Sequence, residues 1–514
     1  MCGPMLHVAA SAWVLLFGGL AAATPTLAEA TRAFDAEQWE DSAILLDRVV
    51  RAGAPFEREV AEYDLAIALH RMGLSNAAYS IFSSIADHPN HARFDVTLIW
   101  LAKLALELPE PADVIERVGK YDADAVARFD ASAPATYADL SFLLGRYQYR
   151  NRRYDDALRT FGTIDRSSPR FVTSQFFCAA TNVQLRRSAP AIACLKSAIG
   201  ALDTVPSATA EDGHLRDLAH LSIARVLYSD SFRLGNDRSP TIYGAKLDAA
   251  IDAWSQIDRT SDLWLDALAE QAWAYFMKRD DAHALGNLHT LYAPYFNGTY
   301  FPESEVLRSF IYVANCQWED ATVTALAFQR KYLPVADELE RTLGRLEASD
   351  EEARALELVE KQTVAPSIRT VVARMLGEKS VARQLGYVRY VDAERARFAQ
   401  KSGSFRSASV GIETADMLQL AHDIALRDLG RLVREHLARE ASALDAHLRT
   451  TANLVVNVPA LILGETDTHR AGGSASALAA ITVDQEHVKW RFDGEFWRDE
   501  LGFYRQSVTS RCGR

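Results

Sequence analysis

Apolar residues in this chain recur every three or four positions, the period of helices that bury one face. The clearest stretch runs from Tyr137 to Pro169. Leu144 and Gly145 sit in the middle of a first helical pattern, and Tyr154, Ala157 and Phe161 share one face of a second. Gly145 and Ala157 are small enough for two helices to cross closely. Tyr154 and Phe161 are placed to fill the gap to the next pair. Pro169, with no N–H and a fixed φ, is expected to stop the second helix.

The pattern repeats along the chain. Ser42, Ala77, Ala112, Ala157, Ala191, Ala250, Ala284 and Ala321 mark eight candidate second helices. Several intervals are ~34–35 residues, and the longer ones carry insertions. Four positions on stand Leu46, Ile81, Phe161, Leu195, Trp254 and Leu288, whereas Glu116 and Ala325 depart from the rule. The longest insertion, Asp230 to Gly244, holds the turn signals Gly235-Asn236-Asp237 and Ser239-Pro240. A tolerated surface loop is the simpler reading of it.

Beyond Pro334 the repeat fades. Leu426, Leu429, Val433, Leu437, Leu444 and Leu448 predict a helical C-terminal region over 335–464, with a Ser/Gly break from Lys401 to Ser409. It should cap the last unit or form a partial coiled coil, since an uncapped array exposes its final apolar face. Residues 465–485 read as a flexible linker by composition. In 486–514, Val488 to Phe492 alternates, Asp493-Gly494 suits a type I′ turn, and Glu495-Phe496-Trp497 begins a return strand. A small β-hairpin is expected there. It is marginal alone, so it should dock through Trp490, Phe492, Phe496, Trp497 and Tyr504.

The set Leu144-Gly145, Tyr154, Ala157, Phe161 and Pro169 resembles the tetratricopeptide repeat (TPR) superfamily, over about Ala30 to Pro334. Ser141 and Gln148 depart from it where larger aromatics are usual. The resemblance implies an all-α, right-handed helical-hairpin solenoid over 29–334 that binds other proteins. Partner peptides would lie along the first helices. Phe142, Arg146, Tyr149 and Arg150 in the fourth unit and Trp273 and Phe276 in the seventh then become groove residues. Arginine forks and aromatics suit a peptide bearing a carboxylate. The alternative is that the arginines are ordinary surface residues and the aromatics are core. The ending, Val488 to Cys512, is similar to that of exported TPR proteins of deltaproteobacteria, some tied to gliding motility. That similarity implies a place in the cell envelope.

Charge and chemistry narrow the picture. The net charge is -12 over 514 residues, which argues against nucleic acid or an anionic membrane as partner. His7 to Ala23 is apolar, and Thr26-Leu27-Ala28 or Ala28-Glu29-Ala30 offers a small-x-small cleavage site, so 1–28 reads as a signal peptide. No Lys or Arg precedes the apolar run, and an uncleaved anchor is the alternative. No later stretch reaches the ~20 apolar residues of a membrane span. Cys178 and Cys194 fall on the two helices of one unit; a disulfide is open to them, with buried free thiols the preferred reading. The HExxH, GxSxG, P-loop and GxGxxG patterns are missing from the sequence. His88 and His91 lack completing ligands and read as a solvated turn, so no metal or cofactor is expected. Asn297-Gly298-Thr299 matches a glycosylation sequon. Together these point to a non-enzymatic envelope scaffold for proteins or peptides. The alternatives are a periplasmic chaperone for outer-membrane proteins and an enzyme with its site beyond Val335.

Overall fold

The computed structural model describes residues 26–108, 114–121, 123–129, 133–205, 209–235, 240–296, 298–348, 355–359, 364–468 and 491–512. Helices come in consecutive pairs. The first two units are α1 (Leu27–Asp35) with α2 (Trp39–Ala52), and α3 (Pro55–Arg71) with α4 (Ser75–Ala86). The third is α5 (Phe94–Glu107) with the short α6 (Val114–Val118), followed by α7 (Ala123–Ala127). Then come α8 (Pro134–Arg150) with α9 (Tyr154–Phe161), and α10 (Phe171–Gln184) with α11 (Ser188–Leu202). The last three pairs are α12 (Ala210–Asp230) with α13 (Gly244–Ser255), α14 (Trp264–Met277) with α15 (Asp281–Leu291), and α16 (Pro302–Ala314) with α17 (Trp318–Ala348). The architecture is an all-α, TPR-like helical-hairpin array.

The small residues do the work their spacing suggests. Ser42, Ala77, Ala157, Ala191, Ala250, Ala284 and Ala321 are all fully buried; Ala112 lies outside the described residues. A Cβ on Gly145 would stand 2.4 Å from the Phe161 ring, so a larger residue would push the fourth pair apart. Phe161 in turn stacks on Phe177 of the next unit at 5.7 Å.

Six hairpins turn the same way. Gln38, Leu74, Arg153, Arg187, Asp280 and Gln317 each donate their N–H to the carbonyl five residues back, at 2.8–3.0 Å. The residue before each has positive φ: Glu37, Gly73, Arg152, Arg186, Arg279 and Cys316. This is the Schellman ending, which satisfies the last carbonyls of a helix and reverses the chain. Glycine usually takes the left-handed position, yet here only the second unit uses it.

Two prolines act differently from expectation. α9 already ends at Phe161, so Pro169 lies in the following loop and stops nothing. Pro334 sits inside α17, which continues to Ala348. Helix–helix packing there offsets the lost hydrogen bond, with Tyr332, Val335 and Leu339 buried on either side of Pro334.

The C-terminal region is more than a cap on the last unit. It comprises a short helix at 355–359, numbered α18, then α19 (Arg369–Gly377), α20 (Lys379–Ala399), α21 (Gly403–Ser407) and α22 (Ser409–Thr468). At ~1.5 Å per residue α22 is about 90 Å long. It packs on α16, α17 and α20, and at its other end on α2 and α4. Leu429, Val433, Leu437 and Leu444 are fully buried in a core shared with Phe328, Leu339 and Val391. Nearer the start of α22, Val410 and Leu418, with Phe405 of α21, join the core of the first units, so the C-terminal helices bridge the last unit to the first two.

At that junction Glu394 of α20 is fully buried. It accepts from the Asn76 backbone N–H at 2.9 Å and from Asn76 Nδ2 at 2.7 Å. Helix α4 has Leu74 at its cap position and no side-chain cap of its own. A carboxylate from over 300 residues away therefore supplies the missing N-cap acceptor. Tyr387 Oη donates to Asn76 Oδ1 at 2.8 Å, and Arg397 Nε to the Gly73 carbonyl at 3.0 Å.

The insertion in the sixth unit forms β1 (Phe232–Leu234) and β2 (Pro240–Ile242), antiparallel with Phe232 opposite Ile242. These are the only strands among the described residues. The expected C-terminal hairpin is corrected: 491–512 holds no strand, and Val488 to Trp490 lie outside the described residues. The tail spends its backbone groups on the array. Gln506 N–H donates to the Ala282 carbonyl, Arg511 N–H to the Asn315 carbonyl and Gly502 N–H to Thr290 Oγ1. The free-thiol reading is corrected as well. Cys178 and Cys194 form a disulfide across their unit, and a second joins Cys316 to Cys512. Both pairs have Cα atoms within bridging range, at 6.0 and 5.0 Å. Among the described residues no helix is long and apolar enough to cross a membrane.

Candidate functional site

The first helices of units six to eight and α19 enclose a cavity of about 80 Å³. Asp266, Glu270 and Trp273 reach it from one face of α14, being spaced by four and then three residues. Arg225 comes from α12, Glu303 from α16 and Arg374 from α19. The Arg225 guanidinium clamps both oxygens of Glu270, with Nη2 to Oε1 at 2.6 Å. Trp254 Nε1 donates to the same carboxylate at 3.2 Å. Arg374 donates to the Tyr300 carbonyl at 2.6 Å, lies 3.6 Å from Asp266 and covers the Phe301 ring. Burial pushes the Asp266 carboxyl above its usual range, with nearby Arg374 pulling the other way. The result is a small, charge-lined pocket with one indole at its wall.

The residues singled out from the sequence separate into two sets. Phe142 is buried between units, and Tyr149 packs edge-on to Phe177 at 5.9 Å. Arg146 lies over the Phe142 and Phe177 rings at 5.7 and 5.5 Å. Burial, with Arg383 of α20 and Arg150 adding like charge, lowers its pKa to about 10. Arg150 is half-exposed, 3.8 Å from Glu116. Trp273 and Phe276 meet edge to face at 6.3 Å; Trp273 lines the cavity and Phe276 packs into the core of the seventh unit. The structure does not bring the α8 and α14 sets together, because units five and six stand between them. Of this lining the sequence reading named only Trp273; Asp266 and Glu270, on the same helical face, could have been found from the helical period, whereas Arg374, from a distant helix, carried no such signal.

The tail makes a second locus. His289 of α15 is ringed by Phe496 at 4.5 Å, Phe492 at 4.6 Å and Tyr504 at 5.0 Å. Burial there, with Arg308 nearby, lowers its pKa to about 4. Tyr504 and Leu501 are buried, whereas Trp497 is largely exposed; Trp490 lies outside the described residues. Arg259 donates to the Asp499 and Leu501 carbonyls at 2.9 and 2.8 Å. A Cβ on Gly286 would fall 1.7 Å from the Tyr504 carbonyl oxygen, so only glycine admits the tail there. His88 and His91 are engaged locally, with the Ser84 carbonyl and Glu62.

No protein-family model matches this chain. No curated protein matches it either. Among solved structures it is similar to a Rap protein complexed with Competence and Sporulation Factor, at 10% identity over 78% of this chain and 98% of that one. The TM-score is 0.24, a superposition too loose for one molecule to inform the other.

Proposed function

We propose that this chain is a non-catalytic, exported scaffold that binds a segment of a partner protein along the first helices of its array. The observation that carries this reading is the pocket walled by Trp273. Three successive first helices contribute to it, and its ~80 Å³ suits one inserted side chain, well short of the several hundred Å³ of a cofactor site. Flanking Arg225, Arg374 and Glu303 favour a partner segment with a polar or charged residue beside its anchor. Two disulfides support an oxidising compartment, as does the apolar N-terminal stretch. The bacterial envelope, including a gliding-motility machine, is the setting that the sequence favours.

The test is cross-linked capture from envelope fractions, comparing the full chain with Trp273→Ala and Arg225→Glu. A discrete partner set at fixed stoichiometry, lost in both variants, is the expected result. An unchanged set would move binding off this face. A second reading has an observation of its own: Val96, Ile99 and Leu106 leave an exposed apolar stripe on α5. That favours a chaperone for exported chains. Promiscuous capture of unfolded proteins, insensitive to Trp273, would mark it.

A further inference from the structure

We infer that two copies of this chain pair through the exposed face of α17, antiparallel about a two-fold axis, with Leu333 of each copy seated in a groove at the start of the other's α17. The helix is buried on one face only. Ala321, Ala325, Phe328, Tyr332 and Leu339 pack against the C-terminal helices. On the opposite face Val323 is 62% exposed, Leu326 44% and Leu333 48%. With Glu319 and Arg330 they recur in alternating steps of four and three residues. That is the seam along which one helix packs on another. Among the described residues neither the Glu319 carboxylate nor the Arg330 guanidinium has a hydrogen-bond or ion-pair partner.

This face is complementary to itself. Placing Glu319 of one copy opposite Arg330 of a second, antiparallel copy fixes the register, with its centre between Thr324 and Ala325. The same register sets Val323 against Leu326 and brings Leu333 level with Cys316. A two-fold axis makes each of these contacts twice. An apolar centre is then flanked on both sides by opposite charges, which set the orientation of a helix pair. Parallel pairing in register would instead stack Glu319 on Glu319 and Arg330 on Arg330, so the charges select the antiparallel arrangement.

A groove stands where Leu333 arrives. It is open, about 590 Å³, and lined by Cys316, Trp318, Glu319 and Val323 at the start of α17, Val458 of α22 and Arg511 of the tail. Its walls are mainly apolar, so a leucine side chain gains by leaving water there. Glu319 belongs both to the groove and to the charge pair, and its opposite number Arg330 lies one turn before Leu333. The register follows from the order of residues along α17, whereas the groove also needs α22 and the tail, so the two observations are separate. The pairing uses none of the residues proposed for partner binding. Two copies joined this way carry two Trp273-walled pockets, which strengthens binding to any partner that repeats its segment.

The test is analytical ultracentrifugation of the full chain, disulfides formed, over a wide range of concentration. The unsubstituted chain should form a dimer that dissociates on dilution. Glu319→Arg and Arg330→Glu should each raise its Kd roughly tenfold or more, because one reversal puts two like-charge pairs into a two-fold contact. Mixed together, the two variants should pair again, since every altered charge then meets its opposite. Leu333→Ser should weaken the dimer by emptying the groove. All three positions are exposed, so the changes leave the fold of the chain intact. A chain that stays monomeric at every concentration overturns the inference, and so does a dimer that survives both reversals. A dimer lost in each variant and not restored on mixing overturns the antiparallel register. Lost partner capture in a chain that still dimerises would overturn the binding reading and leave the pairing standing.

Discussion

Two regions of the array are secured by different chemistry. At the first units the closure is a borrowed helix cap, Glu394 on α4, with hydrogen bonds around it and no covalent link in the contacts it makes. At the seventh and eighth units it is an extended tail, tied by Cys316–Cys512, with its aromatic rings around His289. The apolar face beyond the last unit is covered by α19, α20 and α22, as a repeat array requires, so the tail closes a different side, across α15 and α16. Phe405, Val410 and Leu418 add an apolar contact to the α4 cap, so the first closure is wholly non-covalent in the contacts it makes. The tail end, once oxidised, stays in place even if its contacts loosen.

The largest expected effect comes from cutting the covalent tie. Cys512→Ser should lower stability by about 2–5 kcal/mol, since a native disulfide that closes a long loop restricts the unfolded chain. Thermal unfolding and limited proteolysis of the tail would read it out. If the tail stays protected, the aromatic docking alone suffices and the contrast between the ends weakens.

A smaller effect should appear on acidification. The His289 pKa is lowered to about 4, so the docked tail favours the neutral ring. That contribution is fully present above the ordinary histidine pKa of about 6.5 and is lost as pH falls through about 4. Exchange in α15 should therefore quicken in acid. Unchanged exchange there would weaken the comparison.

The smallest effect serves as a control between the ends. Arg186 in the fifth unit holds a φ of 56°, where a side chain is strained and glycine is not. Arg186→Gly should raise stability by about 0.5–1 kcal/mol, less what glycine adds to the freedom of the unfolded chain. The docked tail should keep its pH response. A change in it would show that strain in the middle of the array reaches its closures.

Much of the array was legible before any coordinates. Seven of the eight small residues fall at buried helix crossings, and Gly145 faces Phe161. Local packing leaves a local signal, because helical spacing decides which side chains share a face. The turns were less legible, since Glu, Arg and Cys take left-handed positions that sequence reasoning assigns to glycine. The tail shows how an alternating pattern can mislead. Asp493-Gly494 and Glu495 to Trp497 predict a turn and a return strand, but no strand forms over 491–512, and the backbone further along donates to α15 and the α16–α17 turn.

The sequence by itself determined the helical-hairpin period, the small-residue crossings and the existence of a long apolar stripe from Leu426 to Leu448. Only the tertiary structure decided what that stripe covers, which carboxylate caps α4 and which cysteines meet. Periodicity reports that a face is buried without reporting against what. Glu394 and Asn76 stand 318 residues apart and Cys316 and Cys512 stand 196 apart. Partners at such separations have no fixed spacing for a pattern to record, and only the path of the folded chain brings them together.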